Sequence, residues 1–124
     1  MGGNSAEFHE SEARLRPETM EHHRAIVSLM EELEAVDWYA QRVDATEDPE
    51  LRAILAHNRD EEKEHAAMAL EWLRRRDPEL DRVLRLYLFT DGPITEIEEA
   101  AEGGAGNGNG AGLGIGSLRG RNDR

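Results

Sequence analysis

Between Pro17 and Arg76 the apolar positions recur every three or four residues, not every two. That period marks helices rather than strands. In the first half of the span the stripe is Ala25, Leu29, Glu32, Val36, Tyr39 and Val43, flanked by Ile26, Met30, Leu33 and Ala40. In the second half it is Leu51, Leu55, Asn58, Glu62, His65, Ala69 and Trp72, with Ile54, Met68 and Leu73 off the main line. Both stripes are apolar towards their ends and charged in the middle. A helix that carries charge in the centre of its own apolar face needs an explanation.

Prolines mark the boundaries. Pro17 opens the first helix. In Asp48-Pro49-Glu50 an N-cap, a first-position proline and a first-turn acid open the second, and Asp77-Pro78-Glu79 repeats the pattern to open a third. Asp91-Gly92-Pro93 is expected to end that third helix, and "ITEIEEAAE" to add a further turn or two. Helix one is therefore predicted over Pro17–Ala45 and helix two over Pro49–Arg76, each roughly 42 Å long at about 1.5 Å per residue. Two helices of matched length joined by a few residues make an antiparallel hairpin. The expected fold is all-α: this hairpin plus a short C-terminal helix, in a helical domain over residues 17–102.

The ends read differently. Residues 1–16 carry no helical pattern and are expected to be a loose N-terminal segment. "GGAGNGNGAG", residues 103–112, has the composition of a flexible linker. Beyond it, residues 113–120 read "LGIGSLRG", followed by a four-residue tail, 121–124. Leu113, Ile115 and Leu118 are apolar residues on a glycine tether, of no use to a helical core. Their spacing, with small residues between, suits an extended peptide that docks on another protein.

The apolar surface of the hairpin is wider than a single partner helix can cover, and a two-helix core of this size is too small to stand alone. A second copy of the chain is the simplest cover. Two hairpins then make a four-helix bundle. At its seam the mid-stripe charges acquire a meaning. Glu32 on one helix and Glu62-Lys63-Glu64-His65 on the other fall at similar heights, and buried unpaired carboxylates would be severely destabilising. Di-iron carboxylate bundles take one Glu from each of two helices and Glu-x-x-His from each of the other two. One chain here holds half of that inventory and a homodimer holds all of it. Two carboxylates and one imidazole suit Fe(II) or Mn(II) better than structural zinc. A lone Glu-x-x-His is weak, because "RDEEKEH" carries charge on every side and, taken alone, reads more readily as a solvated face. The mid-stripe Glu32 and the uncovered core favour a site. Tyr39, two turns from Glu32 on the same face, is either core or a hydrogen-bond partner of a ligand, and Trp38 is a core candidate. Glu31 and Glu34 point away from the stripe, as solvated charge or a second cation site. His22, His23 and His57 are expected at the surface.

Composition narrows the classes. The net charge of −12 disfavours nucleic acid and anionic membranes and attracts cations. With no cysteine there is no thiolate metal site, no disulfide and no cysteine nucleophile. No apolar run approaches the roughly 20 residues of a membrane span, and no secretion signal is evident, so a soluble cytoplasmic protein is expected.

At "IVSLMEELEAVDWYAQRVDA", "EDPELRAILAHNRDEEKEHAAMALEWLRRR" and "YLFTDGPI" the chain closely resembles the encapsulated ferritins, the ferritin-like cargo of encapsulin nanocompartments. The resemblance runs from about Pro17 to Glu99 and resumes at "LGIGSLRG". It implies a ring-shaped decamer built from dimers. It also implies a ferroxidase centre at the subunit interface, with iron held by Glu32, Glu62 and His65 of two chains and calcium, zinc or manganese as ions that could replace it. Tyr39 and Trp38 match positions close to that centre, and Glu31 and Glu34 match positions implicated in the passage of metal. The tail, with Leu113, Ile115 and Leu118, matches the peptide that docks on the shell. The expected activity is oxidation of Fe(II) to Fe(III) by oxygen inside an encapsulin compartment in the cytoplasm. The alternatives are a structural shell-cargo adaptor without redox chemistry, and another di-iron oxidase or peroxidase.

Overall fold

Pro17 and Pro49 do start helices, as the sequence predicts. The computed structural model describes residues 6–104 of the 124-residue chain. Helix α1 spans Pro17–Ala45 and α2 spans Pro49–Arg76. Helix α3 spans Pro78–Tyr87 and α4 spans Ile97–Gly104, with 3₁₀ turns at Glu12–Arg14 and Ile94–Glu96. Among the described residues there is no strand. The architecture is the expected all-α hairpin with a short C-terminal helix.

The turn between α1 and α2 is fixed from both sides. The Asp48 Oδ1 accepts from the backbone N–H of Glu50 at 2.9 Å and of Leu51 at 3.3 Å, while its carbonyl accepts from Arg52 N–H at 2.9 Å. This caps the donors that a helix start leaves without partners. Arg52 then reaches back across the turn. Its Nε donates to the carbonyl of Val43 at 3.2 Å and its Nη2 to that of Thr46. A cation thus sits on the last carbonyls of α1, where the helix dipole favours it. At the far end of the hairpin the His22 ring meets Trp72 edge-on, with centroids 5.6 Å apart.

The described part of the N-terminal segment, residues 6–16, contacts α1. Phe8 lies 4.6 Å from the His23 ring, centroid to centroid, and His23 Nε2 donates to the Ala6 carbonyl at 3.0 Å. His22 and His23 are accordingly half-buried, whereas His57 is exposed as expected.

The chain divides into two compact units between Arg76 and Asp77, within the span the sequence reads as one helical domain. In the second unit, Asp77 Oδ1 caps α3 by accepting from Leu80 N–H at 3.0 Å. Helix α3 stops at Tyr87, before the predicted Asp91-Gly92-Pro93 boundary. Leu88 is already extended, Phe89 has φ 62°, and the Thr90 hydroxyl donates to the Tyr87 carbonyl at 2.9 Å. Helix α4 runs on to Gly104, past Glu102, where the sequence places the start of the linker. The rest of the linker and the tail residues Leu113, Ile115 and Leu118 lie outside the described residues.

Among the described residues only Ala66 and Leu73 are buried apolar side chains, and each keeps a little exposure, 6% and 5%. Ile26, Met30, Leu33, Trp38, Leu51, Ile54 and Met68 are exposed on the hairpin. The stripes expected to be dry are therefore half-open in a single chain.

Removing the cap tests the turn. Asp48→Ala should cost about 1 kcal/mol in urea-induced unfolding, in line with other lost N-caps. A second test uses Glu71, whose carboxylate is gripped by Arg74 at 2.8 Å and Arg75 at 2.7 Å. Hydrogen bonds from these two guanidiniums lower its pKa to about 2. The folded value lies below the unfolded value of roughly 4.3. The stabilisation is therefore fully present above that unfolded value and is lost as pH falls towards 2. The difference in urea midpoint between wild type and Glu71→Gln should be largest above about pH 5 and vanish near pH 2.

Candidate metal centre

Antiparallel pairing sets the register of the site. Glu32 stands as far before the end of α1 as Glu62 stands after the start of α2, so the hairpin brings them level. Within α2 the i, i+3 spacing puts His65 on the same face as Glu62. The result is a cluster: Glu32, Glu62 and His65 each offer one ligand atom, and all three atoms lie within 4.8 Å of one another. His65 Nδ1 is 3.2 Å from Glu62 Oε1 and 3.6 Å from Glu32 Oε1. Among the described residues no other group of three such side chains comes together.

The electrostatics show an excess of negative charge. Glu32 and Glu62 share a hydrogen bond that raises the Glu32 pKa and lowers that of Glu62. Two carboxylates at this distance hold one proton between them more easily than none. The hydrogen bond to Glu62 likewise raises the pKa of His65. Glu62 thus favours the protonated forms of both Glu32 and His65.

The cluster is not sealed. Its side chains are 28% (Glu32), 23% (Glu62) and 42% (His65) exposed, so a second protein surface can reach them from the open side. The remaining candidates stand apart. Tyr39 is half-buried with the Arg42 guanidinium 5.3 Å from its ring, and no hydrogen bond joins it to the three ligands. Trp38 is exposed and lines a surface groove with Gln41, Arg42 and Ala45. Glu31 and Glu34 are exposed to solvent. Sequence reasoning missed Arg52 and Phe8, because one acts through backbone carbonyls and the other lies in a segment without periodicity. Among the described residues no helix is long and apolar enough to cross a membrane.

Known proteins resemble this chain in sequence, and a solved structure resembles it in fold. The sequence model of the EncFtn-like family matches residues 7–91. An encapsulated ferritin-like protein of Rhodospirillum rubrum is 65% identical over 107 residues, covering 86% of this chain and 76% of that protein. A ferritin-like protein of Thermotoga maritima is 57% identical over 101 residues, covering 82% of this chain and 89% of its own. An encapsulin nanocompartment cargo protein of Myxococcus xanthus is 42% identical over 74 residues, 56% of this chain and 57% of its own. The crystal structure of protein ne0167 from Nitrosomonas europaea superposes with a TM-score of 0.68 at 64% identity, over 70% of this chain and 96% of that one.

Proposed function

This chain belongs to the EncFtn-like family, and on that premise we propose that it is a ferroxidase whose centre is shared by two copies and whose product is stored in an encapsulin shell. The observation that carries the proposal is the three-ligand cluster of Glu32, Glu62 and His65. Its donor set fits iron: carboxylate oxygens and one imidazole, with no thiolate. It is also half of the di-iron inventory, and its open side leaves room for the other half from a partner copy.

Fe(II) held by these residues would supply one electron per ion to oxygen on becoming Fe(III). The residues prepare for this in a definite way. Glu32 gives up the proton it shares with Glu62, and His65 loses the proton that its carboxylate neighbours favour, so that all three present lone pairs. Two anionic ligands per chain favour the higher charge state over the lower. Glu31 and Glu34, exposed on α1 beside Glu32, add negative charge that draws cations to the site. Tyr39 and Trp38 flank it on the same helix, where Tyr39 would take up a hydrogen bond only on assembly.

Two lines support a compartment. The R. rubrum relative is named as encapsulated and the M. xanthus relative as encapsulin cargo. The segment "LGIGSLRG" has the composition of a docking peptide on a linker. A ring of such hairpins encloses no storage volume, so a shell would provide it. One observation favours the rival reading of a structural adaptor: Glu32, Glu62 and His65 already satisfy one another without metal.

Anaerobic Fe(II) addition followed by air separates the two. A ferroxidase should bind one pair of irons per two chains and develop ferric absorbance. His65→Ala, Glu62→Ala and Glu32→Ala should each lower the rate by roughly a hundredfold and retain the fold, since removing a carboxylate relieves repulsion in the apoprotein. An iron pair bound by every single chain, or full activity in Glu32→Ala, would sink the shared-centre reading.

The tail has its own test. Deleting residues 113–120, or combining Ile115→Asp with Leu118→Asp, should leave oxidation unchanged and abolish co-purification with a co-expressed encapsulin shell. Packaging at the wild-type level would remove the docking role.

A further inference from the structure

The three ligands come from two helices. Glu62 and His65 share α2, and the 3.2 Å between His65 Nδ1 and Glu62 Oε1 is internal to that helix. Glu32 stands on α1, and its Oε1 lies 3.6 Å from His65 Nδ1 across the space between the helices. The span of the cluster is therefore set by how closely α1 approaches α2. That approach runs over an uneven surface. At the far end of the hairpin the rings of His22 and Trp72 meet between the helices, and Leu73, next in the chain, is buried. Near the cluster the buried side chain is Ala66, a single methyl group.

Ala66 follows Glu62 by one helical turn, and Leu73 follows Ala66 by two, so the three share one face of α2. In the first compact unit α1 is the helix that packs on α2, so α1 is what covers Ala66 and Leu73. The stripe read from the sequence runs instead through His65, Ala69 and Trp72, one residue to the side. The buried face is turned from that stripe towards Ala66, which leaves His65 at the margin of the gap with its side chain half-exposed. The distance between packed helix axes, roughly 8–10 Å, follows the side chains at the contact, and only glycine would intrude less than this methyl group. Cations differ in what they ask of such a gap. Calcium takes oxygen ligands at about 2.3–2.6 Å, whereas zinc takes oxygen and nitrogen ligands at about 2.0–2.2 Å. A short reach from α1 to α2 suits the smaller ion.

We propose that Ala66 is a positioning residue that sets the size of cation the cluster accepts, an inference that rests on reading Glu32, Glu62 and His65 as metal ligands. It acts by holding Glu32 close to the other two, and it touches no metal itself. The test is calorimetric titration of full-length protein with Zn(II) and with Ca(II), using Glu62→Ala as the blank for binding elsewhere. It is run at a protein concentration where variant and wild type sediment alike. Ala66→Val puts two more methyl groups into the gap and should move the ratio of Ca(II) to Zn(II) affinity towards Ca(II) by roughly tenfold. Ala66→Gly lets the helices close and should move the ratio the other way, and it decides the matter if the valine variant does not fold. Leu73→Val loosens the same face two turns further on. It should lower the melting temperature and leave the ratio where it is. A ratio unchanged in both Ala66 variants, or one that Leu73→Val moves as far, would overturn the proposal. Wild-type binding that is indifferent to Glu62→Ala would overturn the metal reading itself, and the proposal with it.

Discussion

Two helices side by side cannot enclose a core of their own, and most of what is unusual here follows from that. Ala66 and Leu73 are the only described apolar side chains that are buried, while Ile26, Leu33, Ile54 and Met68 stay exposed along the hairpin. Apolar surface contributes roughly 25 cal/mol per Å² when buried. A hairpin on its own forgoes most of that gain, and a second protein surface recovers it. The same geometry explains why Glu32, Glu62 and His65 are tolerated in mid-stripe. They sit where burial would come with a partner, not with folding of the single chain.

The ionisation of the cluster follows the same logic. Glu32 is pushed towards its protonated form by Glu62, and His65 is held towards its charged form by the same carboxylate. The protonation of each group is therefore tied to that of its neighbours. Elsewhere the molecule handles charge differently. Glu71 is held by the half-buried Arg74 and the exposed Arg75, and Glu79 pairs with Arg82 in solvent, where such a pair adds little to stability.

Much of this was legible in the sequence because the signals were local. Pro17, Pro49 and Pro78 fixed helix starts through ring geometry, and the three-four spacing fixed which side chains share a face. The level of Glu32 with Glu62 followed from helix lengths alone. The remainder depends on contacts that leave no periodic trace. The stop of α3 at Tyr87 turns on the backbone of Leu88 and Phe89, whose residue types give no hint of an extended or left-handed conformation. Phe8 meets His23 across a span with no pattern. Tyr39 shares the face of Glu32, yet its neighbour is Arg42, because sharing a face does not decide which partner a long side chain meets.

Arg52 ties the start of α2 to the last carbonyls of α1, so the turn is a fixed origin from which both arms are measured. One residue added to α2 between that origin and Glu62 would turn everything beyond it by about 100° and carry Glu62 and His65 off the face of Glu32. A residue added beyond His65 would leave the three in place. Insertions are therefore tolerated by the cluster only at the far end of the hairpin and in the segments after it. The stretch between the turn and the cluster is a ruler that cannot be recut without moving both arms in step.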